Sequence, residues 1–161
     1  MNALLSLNDQ AKIELKSTLL NHCLSVKKEQ IEELNTSLTS IKDSVESNDK
    51  SSAGDKHETA RENANQTLLI YGAQRKKAMD DLMLLQMIKP DVIHDIVQTG
   101  AVVVLNDLVL YIAEMSDRLT IDNLIFNIVP PNGPLLKEIN GRGAGHTFTF
   151  NNHNYQIISV F

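Results

Sequence analysis

The chain reads as an α+β protein in which a long antiparallel coiled-coil hairpin precedes a small antiparallel sheet domain with a short helix, and three observations predict this. Apolar residues recur at steps of three, four or seven through the first half. One polar stretch, SSAGDKHETARENANQ at residues 51 to 66, interrupts that periodicity. Beyond Pro90 the pattern changes to short apolar runs separated by turn-forming residues.

Size and charge narrow the class. The 161 residues, 42% of them hydrophobic, suffice for one domain or two small ones. Fifteen Lys and Arg stand against 20 Asp and Glu, and a net charge of -5 argues against independent DNA binding, which needs a basic surface to release counterions. A protein partner is the better expectation. A single cysteine makes neither an internal disulfide nor a four-thiolate zinc site. With no secretory leader pattern, the expected location is cytoplasmic. The longest apolar runs, GAVVVL from Gly100 and LIFNIVPP from Leu124, fall short of the roughly 20 residues that span a bilayer, so no membrane segment is predicted.

The first helix is carried by Leu20, Leu24, Ile31, Leu34, Leu38, Ile41 and Val45, a coiled-coil seam broken only by Lys27. The second follows the polar stretch with Ala64, Leu68, Tyr71, Ala78, Leu82 and Leu85, and Arg75 fills its one gap. Antiparallel pairing across the short polar connection is the simplest way to bury both seams. A fold-back at Ser51 sets Leu34 level with Leu68 and Lys27 level with Arg75, so the two cations are expected to splay apart along their stems. The 30 or so residues from Thr59 to Pro90 would rise roughly 45 Å. Pro90 ends the helix, which predicts a hairpin over 1–90, with its tip at 51–60, and a second domain over 91–161. Charge changes there too, from 12 basic and 13 acidic residues before the boundary to 3 and 7 after it. In the second domain AVVVL, LVLYIA, LIFNIV, HTFTF and YQIISVF read as strands, the last two joined by an Asn-rich turn. PPNGP, residues 130 to 134, reads as a rigid turn leading into a short helix, LLKEI, on one face of the sheet.

Candidate sites are few. Asp55 and Glu58 stand three apart at the start of the second helix, so their carboxylates share a side. Two hard oxygen donors suit Mg²⁺, and the same spacing suits a capping box. Capping alone leaves unexplained why charge is concentrated at the end of a long hairpin. His22 and Cys23 are helix neighbours about 100° apart, which reads as core rather than as nucleophile and base. His57, His94, His146 and His153 lack the spacing of a zinc helix. NGRGAGH, residues 140 to 146, precedes a strand and lacks the Lys-Ser or Lys-Thr of a phosphate loop, so it reads as a turn. Arg75, Lys76 and Lys77 form a basic cluster that serves either as solvated charge or as a partner-facing patch.

These residues resemble the bacterial Gre transcript-cleavage factors through most of the chain. The family's tip runs Gly-Asp-Leu-Ser-Glu-Asn-Ala-Glu-Tyr, and here Gly54, Asp55, Glu58 and Ala60 fall on its glycine, two acids and alanine. Gly100, Val103, Pro131, Gly133, Leu136 and Gly145 align with the recurring positions of its FKBP-like second domain. Lys56 and His57 replace Leu and Ser, Thr59 replaces Asn, Arg61 and Glu62 replace Glu-Tyr, and His146 stands where the family has an aspartate. The tip SSAGDKxET is similar to that of smaller Gre-like proteins of Bacteroidetes.

The resemblance implies a monomeric accessory protein of bacterial RNA polymerase, not itself an enzyme, that contacts nascent RNA only indirectly. Asp55 and Glu58 would share Mg²⁺ with the polymerase and stimulate cleavage of backtracked transcripts, with Gly54, Lys56, His57 and Thr59 supporting the tip. Arg75, Lys76, Lys77, Pro131 and Gly133 are the candidate partner-binding positions. Two alternatives stay open. One is a channel-binding regulator without cleavage activity, favoured by Lys56 beside the acids. The other is a structural or chaperone-like module. Prolyl-isomerase activity is disfavoured, because 4% aromatic residues and no Trp leave little for an aromatic-lined pocket.

Overall fold

Asn8 opens the first long helix by capping it: its Oδ1 accepts a hydrogen bond from the Ala11 N–H at 2.9 Å, and its carbonyl accepts from Lys12 N at 3.0 Å. The computed structural model describes residues 2–49 and 56–161. After a single turn, α1 (Asn2–Leu5), come α2 (Asp9–Asp49) and α3 (Lys56–Gln86), then β1 (Val102–Leu105), β2 (Val109–Ile112), β3 (Asp117–Ile121), β4 (Leu124–Val129), α4 (Pro134–Ile139), β5 (Thr147–Phe150) and β6 (His153–Val160). The chain is α+β, a long helical hairpin followed by a six-stranded, mostly antiparallel sheet.

The chain divides into two compact units, Ser25–Met83 and Met1–Leu24 with Leu84–Phe161. This boundary differs from the one read at Pro90, because the start of α2 and the end of α3 belong with the sheet. Leu19, Leu20 and Cys23 of α2 and Leu85 of α3 are buried in one core with Val102, Val104, Val109 and Tyr111.

Within the hairpin unit, Ile31, Leu34, Leu38 and Ile41 are half-buried, as are Leu68 and Tyr71. Lys27 and Arg75 do not meet. The Lys27 ammonium is buried and donates to Asp81 Oδ2 at 3.2 Å and Gln30 Oε1 at 3.1 Å, while Arg75 Nε donates to Asn35 Oδ1. Lys27 thus pairs six residues further along α3 than expected, and Arg75 eight further along α2. The displacement is about one heptad. Such a slip brings equivalent seam positions together again, so periodicity cannot choose between the two registers, and the polar partners decide.

The sheet runs in the order β3-β4-β2-β1-β6-β5. It departs from the expected all-antiparallel arrangement at one pair, β2 with β4, which is parallel from Val109↔Phe126 to Ile112↔Val129. The chain leaves β2, lays β3 one position further out, and returns β4 into the gap through a two-residue turn. That turn, Asp122 and Asn123 with φ of 50° and 63°, and its counterpart Asn151 and Asn152 with φ of 50° and 63° have the paired positive φ that matches strand twist in tight hairpins. β1 and β2 are buried at every residue. Their odd and even side chains enter different cores: Val102 and Val104 face the helix ends of α2 and α3, and Val103 and Leu105 face Leu136 and Ile139 of α4. Helices therefore cover both faces, not one, which is why these strands read as continuous apolar runs without alternation.

Candidate functional site

The acidic tip lies where α2 and α3 are joined. Gly54 and Asp55 lie outside the described residues, as do the side chains of Lys56, His57 and Glu58, whose backbone forms the first turn of α3. Glu58 is the third residue of that helix, the position that a capping box and a carboxylate site at the tip would both use. Thr59 is exposed. The contacts Lys27 to Asp81 and Arg75 to Asn35 pair α2 antiparallel with α3. From Ser25 to Asp49, α2 rises about 36 Å.

The basic cluster is divided. Arg75 is engaged by Asn35, and Lys77 Nζ lies 3.0 and 2.9 Å from the two carboxylate oxygens of Asp81, so the same aspartate holds Lys27 and Lys77. Lys76 is exposed. Pro131 and Gly133 sit in the turn that starts α4: Gly133 N donates to Pro130 O at 2.9 Å, and its carbonyl accepts from Leu136 and Lys137. A Cβ at Gly133 would come within 3.1 Å of Pro130 O. Gly100 has a firmer requirement, with φ of 84° and Ile88 Cγ2 only 2.9 Å from where a Cβ would stand.

Cys23 is core, but His22 is not. Its Nε2 lies 2.8 Å from Asp117 Oδ2, tying α2 to β3. Hydrogen bonds from His22 and from the Arg118 backbone N–H hold the Asp117 carboxyl below its ordinary range. His94 Nδ1 meets Gln98 Nε2 at 2.7 Å, and His146 and His153 join an aromatic row with Phe148 and Tyr155. Among the described residues no three His, Cys, Asp or Glu side chains group to hold a metal, and no helix is long and apolar enough to cross a membrane. NGRGAGH forms turns fastened to the preceding segment, with Val97 N donating to Arg142 O and Gly141 N to Val97 O, both at 2.8 Å.

One buried cation was missed in the sequence. Lys16 is fully buried and its ammonium donates to the Val92 carbonyl. Burial lowers its pKa to about 8, against the opposing pull of Asp91. Burial, with this cation nearby, also holds the His94 imidazole below its ordinary value. Beside them an open groove of about 350 Å³ is lined by Leu84, Met87, Ile88, Val92 and His94, among others. The signal for Lys16 was its spacing, three residues after Ile13 and four before Leu20, on the apolar stripe.

No family model matches the chain, and no curated protein does. Among solved structures, that of the transcription factor Gfh1 is similar at 15% identity and a TM-score of 0.36, over 85% of this chain and 92% of that one. A likeness at that level assigns no activity here.

Proposed function

We propose that the chain is an accessory factor of bacterial RNA polymerase that enters the secondary channel with the joined end of its hairpin and assists cleavage of backtracked transcripts. The observation that carries this reading is the pairing of α2 with α3 in one hairpin, with the Gly54-Asp55-x-x-Glu58 pattern of the Gre tip running from the connecting segment into the first turn of α3. Two carboxylates are too few to complete an octahedral Mg²⁺ shell but suit an ion shared with another protein's carboxylates. When bound, that ion would supply Lewis-acid activation of water toward the phosphodiester. Asp55 and Glu58 would contribute negative charge and position, and the paired helices would deliver them.

Substitutions that keep capping while removing charge test it. Asn caps about as well as Asp, and Gln can close a capping box. Asp55→Asn with Glu58→Gln is therefore expected to melt within a degree or so of wild type and to lower stimulated cleavage on a stalled, backtracked complex at least tenfold, roughly, because neutral amides bind a hard cation poorly. Equal stimulation by the double variant would leave the acids as caps alone. A second reading is favoured by Lys56, a cation beside the acids where the family has Leu: a channel-binding regulator that does not stimulate cleavage. Wild type that binds polymerase without stimulating, and gains stimulation on Lys56→Leu with His57→Ser, would select it.

A further inference from the structure

The outermost strand on one side of the sheet carries no charge, and α4 packs against it on the face of Phe148. Among the described residues β5 pairs only with β6, from Thr147↔Gln156 to Phe150↔His153, and ends the strand order. An edge strand offers unpaired N–H and C=O groups to any incoming strand, and proteins usually blunt it with Lys, Pro, bulges or a covering element. β5 has none of the sequence devices: no Asp, Glu, Lys, Arg or Pro occurs from residue 143 to residue 161. The opposite edge is guarded, since β3 carries Asp117 and Arg118 and is followed by Asp122 in its turn.

The sequence of β5 also fits itself. Thr147 and Thr149 are exposed on one face, while Phe148 and Phe150 are half-buried on the other. The aromatic face is ordered by ring contacts, His146 to Phe148 at 6.4 Å and Phe148 to Tyr155 at 5.4 Å between centroids. Two antiparallel copies joined about a twofold axis perpendicular to the sheet oppose residues of the same face. Thr147 then meets Thr149 of the second copy, His146 meets Phe150, and Phe148 meets Phe148. Aromatic pairs and Thr pairs are favourable cross-strand neighbours, and with no charged side chain nothing repels at the axis. We propose that β5 is a self-association edge, through which a second copy of this chain adds antiparallel to make one continuous sheet. The contact is isologous, so it closes at a dimer and leaves only the charged β3 edges at the ends. This does not rest on the polymerase reading, and it differs from the monomer that the family resemblance implies, which the following measurements would show if the proposal fails.

Sedimentation of the full chain across micromolar to millimolar concentration is expected to show reversible exchange between monomer and dimer. Thr147→Lys with Thr149→Lys sets like charges opposite each other across the axis and should weaken the dimer at least tenfold, roughly. Thr147→Glu with Thr149→Glu should do the same, and mixing the two variants should restore association, which misfolded chains would not do. In wild type, slower hydrogen exchange of the 147–150 amides at high concentration reads the same contact without any substitution. A chain that stays monomeric throughout, a dimer indifferent to the lysines, mixed variants that fail to associate, or exchange at 147–150 independent of concentration would each overturn the proposal.

Discussion

At Lys16 a buried ammonium has one carbonyl partner, and its thermodynamic signature follows from that. Its folded-state pKa of about 8 lies below the ordinary lysine value of 10.5. Between those values the unfolded chain binds more protons than the folded one, so stability rises with pH through that window, and below it the full cost of burying the charge persists. Wild type is therefore expected to gain more than about 1 kcal/mol between pH 8 and 10.5 relative to Lys16→Met, read by urea denaturation of both at each pH. Parallel curves would mean that the ammonium is hydrated in the fold. Tyr111 presents the converse case: it is fully buried, and its hydroxyl has no hydrogen-bond partner among the described residues. Burial, with Cys23 nearby, raises its phenol pKa. Tyr111→Phe removes an unsatisfied polar atom without changing the ring, so it should be neutral or stabilising by about 1 kcal/mol, whereas buried tyrosines with partners lose stability on this change.

At the level of elements, the hairpin shows what periodicity can and cannot decide. The seam residues, the existence of both helices and their antiparallel pairing were legible, because a 3.5-residue repeat survives in any register. The register was not, because Lys27 and Arg75 were read as intruders rather than as half of specific pairs with Asp81 and Asn35. Asp81 is the residue to test. Asp81→Ala leaves the buried Lys27 ammonium with only Gln30 and should cost about 2–3 kcal/mol, while Lys27→Met with Asp81→Leu should recover most of that loss. Costs that simply add in the double variant would mean that the two residues are not coupled. In the sheet, β3 is not legible as an apolar run, because Asp117–Ile121 alternates in burial and contains charge. The Asp122-Asn123 pair was the available signal, the same turn chemistry that located the β5–β6 hairpin. At the tip, the acidic pair was legible from spacing, yet spacing serves capping and metal binding equally, and only charge-removing substitutions separate them.

For the whole molecule, the decisive feature is that the sheet unit is assembled from both ends of the sequence. Residues 1–24 and 84–161 form one compact unit, whereas Pro90 places the start of the second domain at residue 91. Physically it should not. Val102, Val104, Val109 and Tyr111 would lose the buried side chains of Leu4, Leu19, Leu20, Cys23 and Leu85 that complete their core. Each large side chain removed from such a core costs about 2–5 kcal/mol, and the stability of a domain is about 5–15 kcal/mol in total, so losing this layer exceeds what a fragment can bear. A polypeptide of residues 91–161 is therefore expected to lack a cooperative melting transition and to bind hydrophobic dyes. Deleting residues 25–83 and joining Leu24 to Leu84 through a short Gly-Ser linker removes only the other unit, and should leave a cooperatively melting, sheet-containing protein. Within that shortened chain Leu85→Ala should still cost about 3 kcal/mol, because the side chain stays fully buried against the sheet. A fragment 91–161 that melted as cooperatively as the linked protein would show that the helix ends are an added cover and not part of the core.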